Sequence, residues 1–104
     1  MDVRKNKDDK ARDTYELLLS GRIDGAGAIR LYDELQATVG SGAQTLYVNM
    51  AQVTFLCSAG LAALIQCSQK MWKQNRVLRI ARPSPEVESV LRTSGLYEQL
   101  VEKV

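Results

Sequence analysis

The stretch VNMAQVTFLCSAGLAAL, residues 48–64, joins the end of a strand to the start of a helix. The run TLYVNM at residues 45–50 predicts the strand. After an irregular turn, Ser58 is placed to cap a helix whose inward face would carry Leu61, Leu64, Ile65, Ser68 and Trp72. A strand that leads directly into a helix is typical of folds in which helices cross over a partly parallel sheet.

Upstream of this stretch the same alternation of strand and helix recurs. Residues 14–20 predict a strand that stops at Gly21, and Asp24 is placed to cap a helix that starts near Gly25. The predicted inward face of that helix consists of Ala28, Leu31, Tyr32, Leu35 and Val39. The polar residues 1–13 are expected to form either a frayed first strand or a tail.

Downstream, VLRIA at residues 77–81 predicts a further strand. Ser84 is followed by proline and an acid, which favours a helix start there, and a short final element closes the chain over residues 96–104. The core-facing residues of the helix after Ser84 would be Val87, Val90 and Leu91. The order of elements predicts one α/β domain over residues 1–104, with a small, mixed, mainly parallel sheet of four to five strands and three to four helices.

The composition excludes several classes of function. The 104 residues are 45% hydrophobic and 25% charged, and their net charge of +2 gives no reason to expect binding to nucleic acid or anionic lipid. The longest unbroken apolar run, residues 61–65, is far shorter than the roughly 20 residues that span a bilayer. The charged first twelve residues do not resemble a signal peptide, so we expect a cytoplasmic protein without membrane insertion.

The reactive residues give little support to catalysis. The chain has no histidine, so neither an imidazole base nor a Cys–His metal site can form, and we expect a protein that is not an enzyme and needs no cofactor. The two cysteines, Cys57 and Cys67, would lie about 15 Å apart along one helix. Because a disulfide joins Cα atoms within roughly 7 Å of each other, no disulfide is expected.

Ser58 is the sharpest candidate for a functional residue. Helix starts stabilise anions, so a phosphate there would meet a partial positive charge, but a plain N-cap accounts for the same position. Asp24 has the same two interpretations, as a cap or as a charge that faces a partner. Cys57 is either a redox-sensitive thiol or, as we favour, a small semi-buried hydrophobe. Gly60 allows either a tight turn or the close approach of another backbone.

A second group of candidate residues lies at the end of the predicted second helix. It consists of one aromatic residue and three basic residues. Trp72 has Lys70, Lys73 and Arg76 as neighbours in sequence. An exposed aromatic residue beside basic ones can anchor an interface. A packed tryptophan with a solvated polar face is the commoner arrangement, and it is the one we predict.

Four motifs, in order, resemble the STAS family of anti-sigma factor antagonists. Residues 48–64 are similar to its signature, which has an Asp in the strand and then Asp-Ser-(Ser/Ala)-Gly-Leu at a helix start. SGRID at residues 20–24 is similar to its Gly-x-Leu-Asp turn. Residues 77–91 resemble its strand, proline and helix segment. RTSGLYEQL at residues 92–100 resembles its closing segment, with the first leucine displaced to Leu91.

The resemblance covers roughly residues 14–101 and implies a function. Members of this type bind an anti-sigma factor that is also a serine kinase, which frees the sigma factor for transcription. The kinase phosphorylates the serine matched by Ser58, and the phosphorylated protein no longer binds. The resemblance therefore implies a phosphoprotein that is a monomer or weak dimer, with a partner surface at Asp24, Cys57, Ser58, Ala59 and Gly60.

Two positions depart from the family pattern. Cys57 and Asn49 stand where the signature has aspartates, and we expect both changes to remove negative charge beside Ser58. Stand-alone STAS proteins also resemble the small structural partner of lipid-transport ATPases, a role without phosphorylation. That alternative stays open, with a transporter ATPase as the partner in place of the anti-sigma factor.

Overall fold

The computed structural model describes residues 1–7 and 13–101, and in these residues four strands and four helices alternate as the sequence predicts. In chain order they are β1 (Asp2–Lys7), β2 (Thr14–Ile23), α1 (Gly25–Gly40), β3 (Thr45–Leu56), α2 (Ser58–Lys73), β4 (Val77–Ala81), α3 (Pro85–Thr93) and α4 (Tyr97–Leu100). The predicted α/β fold is confirmed.

The strands form one mixed sheet in the order β1-β2-β3-β4. β1 runs antiparallel to β2, whereas β2, β3 and β4 are parallel to one another. Past α4, Val101 pairs with Ile80 in an isolated parallel bridge at the outer edge of β4. The first residues thus form a strand over Asp2–Lys7, while the parts of the predictions that concern residues 8–12 and 102–104 lie outside the described residues.

β2 and β3 both continue beyond their predicted ends. Gly21 does not end β2. It adopts a positive φ of +86°, which glycine tolerates, and the strand continues through a register shift at this residue. Past this irregularity Arg22 pairs with Phe55 and Ile23 with Leu56. The segment predicted as an irregular turn before Ser58 is therefore the last part of β3, which stays paired with β2 through two register shifts.

Small residues set the inward faces of the two long helices. Tyr32 is 45% exposed and Trp72 is 72% exposed, so the predicted faces are wrong at these two positions. The buried residues of α1 are Gly27, Ala28, Leu31, Leu35 and Thr38, and those of α2 are Gly60, Ala63, Leu64, Cys67 and Met71. Six of them pack in one cluster with buried strand residues that include Leu17, Leu46, Val48, Leu78 and Ile80; the six are Leu31, Leu35, Ala63, Leu64, Cys67 and Met71. Among the helices of the described ranges, none has the length and apolar character needed to cross a membrane.

Candidate partner-binding site

The start of α2 lies against the turn between β2 and α1. The backbone N–H of Cys57 donates to the carbonyl of Ile23 over 2.9 Å, which joins the end of β3 to the residue before Asp24. Loops at the same ends of parallel strands gather on one edge of a sheet. The Asp24 turn therefore lies next to the segment around Ser58, as the partner surface implied by the family resemblance requires.

Cys57, and not Ser58, is the N-cap residue of α2. Its backbone is extended, with φ −78° and ψ 166°, because its N–H is held by Ile23 as in a strand. The helix begins at the next residue, Ser58, and the carbonyl of Cys57 accepts from the N–H of Leu61. The prediction of Ser58 as the N-cap is wrong by one residue. The sequence predicted an irregular turn before Ser58, but β3 stays paired with β2 as far as Leu56, so the cap falls on the next residue, Cys57.

The first turn of α2 is accessible and has no side-chain cap. Ser58 and Ala59 are exposed, the thiol of Cys57 makes no capping hydrogen bond, and the turn contains no acidic residue. The free N–H groups and the positive end of the helix dipole are consequently not balanced by a side chain of α2 itself. Negative charge placed at Ser58 would interact directly with this end of the helix.

Asp24 caps α1. Its Oδ1 accepts from the N–H of Gly27 over 2.9 Å, and this hydrogen bond lowers the pKa of the carboxyl below its usual value. The side chain is exposed, so the carboxylate is ionised at neutral pH and faces solvent close to the start of α2. The capping role is thus established for Asp24, and the same charge remains open to a partner.

Gly60 positions α2 from beneath the surface. It is buried, and a Cβ at this position would lie 2.8 Å from Cγ2 of Ile23 and 2.9 Å from Cδ1 of Leu56. Only glycine lets the first turn of the helix come this close to the ends of β2 and β3. Gly60 therefore shapes the predicted site through packing, and the surface itself consists of its neighbours.

The two thiols are free, as predicted. Cys67 is buried in the core, and desolvation raises its pKa, so it is a protonated, apolar residue. Cys57 is half-buried, which agrees with the predicted semi-buried hydrophobe. Nowhere in residues 1–7 or 13–101 do three or more cysteine or acidic side chains gather in a way that could hold a metal ion.

The structure adds one pair of residues that the sequence did not indicate. The guanidinium of Arg22 lies over the ring of Phe55, with 4.4 Å from Cζ to the ring centroid. Both side chains are exposed, and they stand on paired positions of β2 and β3 just before Asp24 and Cys57. The sequence alone does not indicate this pair, because the two residues are 33 positions apart. Only the register of β2 with β3 places them side by side.

Asn49 is remote from Ser58, contrary to prediction. It lies in the middle of β3, where its Oδ1 accepts from the N–H of Ala51 over 3.1 Å. Asn49 pairs with Leu18 of β2 and Leu56 pairs with Ile23, five residues further along, so at about 3.3 Å per residue the two positions on β3 are roughly 17 Å apart. Of the two departures from the family pattern, only Cys57 changes the charge next to Ser58.

The basic cluster near Trp72 divides into two parts. Arg76 is half-buried, and its guanidinium donates to the carbonyls of Ala43 and Val39 at 2.6 and 2.8 Å, so it fastens the end of α1. Trp72 is not packed as predicted but projects into solvent beside Lys73, in the last turn of α2. The first part is structural, and the second leaves an aromatic surface.

A family model described as "Mlab, STAS domain" matches residues 6–102, nearly the whole chain. The chain belongs to the STAS family. A comparison with curated proteins finds no match.

Solved STAS structures share this fold. The anti-sigma factor antagonist SpoIIAA in its unphosphorylated form is 19% identical, with a TM-score of 0.82 over 99% of this chain and 89% of that one. The Bacillus cell fate determinant SpoIIAA in its phosphorylated form is 18% identical, with a TM-score of 0.75 over 99% and 92%. An anti-sigma factor antagonist from Mycobacterium paratuberculosis is 22% identical, with a TM-score of 0.83 over 95% and 81%.

Proposed function

We propose that this STAS protein is an anti-sigma factor antagonist that binds its anti-sigma factor through the surface around the start of α2. The observation that carries the proposal is the exposed Ser58 on a helix start without a side-chain cap. The antagonist surface would consist of Asp24, Cys57, Ser58 and Ala59, extended by Arg22 and Phe55. The fold shared with two proteins described as anti-sigma factor antagonists supports it.

Phosphorylation of Ser58 would switch this surface off. The uncharged hydroxyl can be buried against a partner, whereas a phosphate brings a charge of about −1.5 to −2 at pH 7. A carboxylate on the partner, or the ionised Asp24 nearby, would repel that charge, and burial would also require its desolvation. The free N–H groups of the first turn would meanwhile stabilise the phosphate in the unbound protein.

The agent of this switch would be the partner itself, an anti-sigma factor with serine kinase activity. SpoIIAA is known in a phosphorylated and an unphosphorylated form, which supports a switch of this type in the family. The half-buried thiol of Cys57 cannot supply the acceptor oxygens that a carboxylate at this position would offer. We therefore propose that Ser58 is a slow substrate.

The same cysteine favours a second candidate function, that of a structural subunit which is never phosphorylated. In that case the surface around Ser58 would dock permanently on a transporter ATPase of the lipid-transport type. With no histidine in the sequence, we propose in either case that the protein has no catalysis of its own. We further propose that it acts in the cytoplasm, where both kinds of partner would present their ATP-binding domains.

Affinity purification of the tagged full-length protein, followed by mass spectrometry of its partners and of Ser58, tests the proposal. The expected partner is an ATP-binding anti-sigma factor, and incubation of the purified pair with ATP should add phosphate to wild type but not to Ser58→Ala. Recovery of a transporter ATPase with unmodified Ser58 would establish the structural role instead. Recovery of neither class would refute both assignments.

A further inference from the structure

The first half of the outer edge of β4 is not paired with any of the described residues. The N–H of Val77 donates to the carbonyl of Gln44 over 2.9 Å, so the backbone groups of Val77 face β3. Because these groups alternate in direction along a strand, those of Leu78 point away from β3. Ile80, which has the same orientation, uses the outer side for its bridge to Val101, but no described residue pairs with Leu78 in this way.

A groove of 890 Å³ lies alongside this edge. One wall is the last turn of α2 and the other is the segment around α4. Its apolar lining includes Trp72, Val77 and Val101, and its charged lining consists of Lys73, Arg79 and Glu98. Trp72, at 72% exposure, is the most exposed of the large hydrophobic residues in the described ranges.

Within the described residues, the two basic residues of the groove have no acidic partner. The one salt bridge among residues 1–7 and 13–101 joins Glu88 and Arg92, so no described carboxylate lies within 4.0 Å of Lys73 or Arg79. Arg79 donates from Nη1 to the carbonyl of Gln99 over 2.8 Å, which fixes its guanidinium beside the edge of the sheet. A fixed guanidinium with free N–H groups is suited to bind a carboxylate.

We propose that this groove binds an extended, acidic segment of another protein, which adds a strand to the edge of β4. Main-chain hydrogen bonds to Leu78 would hold the segment, a carboxylate would pair with Arg79 or Lys73, and an apolar side chain would pack on Trp72. Charge favours this occupant, because the groove has two cations, Lys73 and Arg79, against one carboxylate, Glu98. A second copy of this chain is the alternative occupant, which the experiment below separates.

This groove is separate from the surface around Ser58 and adds a second binding site to the proposed function. Ser58 and Trp72 lie at opposite ends of α2, which at a rise of 1.5 Å per residue places them about 21 Å apart. The two sites therefore have no residue in common.

A random library of twelve-residue peptides displayed on phage, selected on the full-length protein, tests the proposal. The selected peptides are expected to be enriched in Asp and Glu, and Arg79→Gln should weaken their binding by about tenfold. Trp72 is the only tryptophan of the chain, so its emission should shift to shorter wavelength on binding. Hydrogen exchange of the Leu78 amide should slow in the complex, which a contact made by side chains alone would not cause.

Three controls separate the outcomes. Arg92→Gln removes a cation outside the groove, and Ser58→Asp changes the other site; both variants should bind the peptides as wild type does. Peptides without acidic bias, equal binding by Arg79→Gln, or failure to enrich any peptide would each overturn the proposal. Concentration-dependent dimers in which the Leu78 amide exchanges more slowly would also overturn it, because the second copy would then be the occupant.

Discussion

The starts of α2 and α3 are built in opposite ways. At α3, Ser84 is buried and its Oγ accepts from the N–H of Val87 over 3.2 Å, proline follows at once, and Glu86 and Glu88 lie in the first turn. At α2, Cys57 gives no side-chain cap and the first turn has no acid. The two helix ends therefore differ in whether their free N–H groups and positive dipole are already satisfied.

The difference supports the proposed partner surface at α2. The start of α3 has its N–H groups and dipole balanced by the buried Ser84 and by the acids of its first turn. On its buried side, the start of α2 is held by the packing of Gly60 and by the hydrogen bond from Cys57 to Ile23. On its exposed side, no side chain caps the free N–H groups of the first turn. A negative charge added at a helix end of this second kind would meet N–H groups and a dipole that no side chain of the helix balances.

Of the substitutions at these helix starts, Ser58→Asp is expected to have the largest effect, and that effect is on partner binding. It should weaken binding of the anti-sigma factor by about 2–5 kcal/mol, a factor of roughly 30 to several thousand, because a charge would be buried at the interface. Ser58→Ala should bind as wild type does, and calorimetry with the purified partner measures both. The same Asp should leave the fold intact or more stable, since it adds an acid to the first turn. Equal affinity of Ser58→Asp and wild type would rule out an electrostatic switch.

Gly60→Ala tests whether α2 is fixed from below. Its methyl group would meet Ile23 and Leu56 at under 3.0 Å, and such overpacking should lower the free energy of unfolding by about 1–3 kcal/mol. Gly40→Ala is the matched control, because a Cβ at that helical position has no atom within 4 Å. Urea denaturation of both variants gives the comparison. Equal stabilities would mean that the first turn has room to move.

Cys57→Asp converts the start of α2 toward the type found at α3. The carboxylate should cap the first turn and add about 0.5–1 kcal/mol to the free energy of unfolding. If the kinase needs an acid beside its target, the same change should also lower the barrier to phosphorylation of Ser58 by about 1–3 kcal/mol, or speed it about 5- to 150-fold. The measurement compares the rates of Ser58 phosphorylation at equal occupancy of the partner for three proteins: wild type, Cys57→Asp and Cys57→Ser. Three equal rates would leave the acid without a role.

Removing each N-cap side chain measures the contrast directly. Ser84→Ala should cost about 1 kcal/mol, because the buried N–H of Val87 loses its acceptor. Cys57→Ala should change stability by about 0.5 kcal/mol at most, since no capping bond is lost. Thermal or urea unfolding of the two variants tests the difference. A larger loss at Cys57 would contradict the uncapped start of α2.

The smallest expected effect is a pH dependence at α1. The hydrogen bond from Gly27 lowers the pKa of Asp24 below 3.8, so the folded state binds the proton less tightly than the unfolded chain. The stabilisation by this cap is fully present above pH 3.8 and is lost as the pH falls through the lower pKa of the folded protein. Asp24→Asn, which keeps an acceptor oxygen, should remove this part of the acid dependence between pH 2 and 5. An unchanged pH profile would show that the cap does not titrate.

Local chemistry made much of this molecule predictable. The start of α3 followed from Ser-Pro-Glu, the cap of α1 from Asp24, and β4 from VLRIA, because caps and strand propensities act over a few residues. The STAS signature then supplied the order of the elements and the identity of Ser58 as the candidate target. The resemblance to the family rested on the order and spacing of four motifs along the chain.

Contacts between distant residues decided the rest. The pairing of β2 with β3 extended both strands, moved the N-cap from Ser58 to Cys57, and set Arg22 against Phe55. Close approach of α2 to the strand ends turned Gly60, Ala63 and Cys67 inward and left Trp72 outside, although hydrophobicity alone favoured the reverse. The sequence by itself determined which elements form and where a charge could act as a signal. Only the tertiary structure decided which side of each helix is buried, because that depends on how closely the elements can pack.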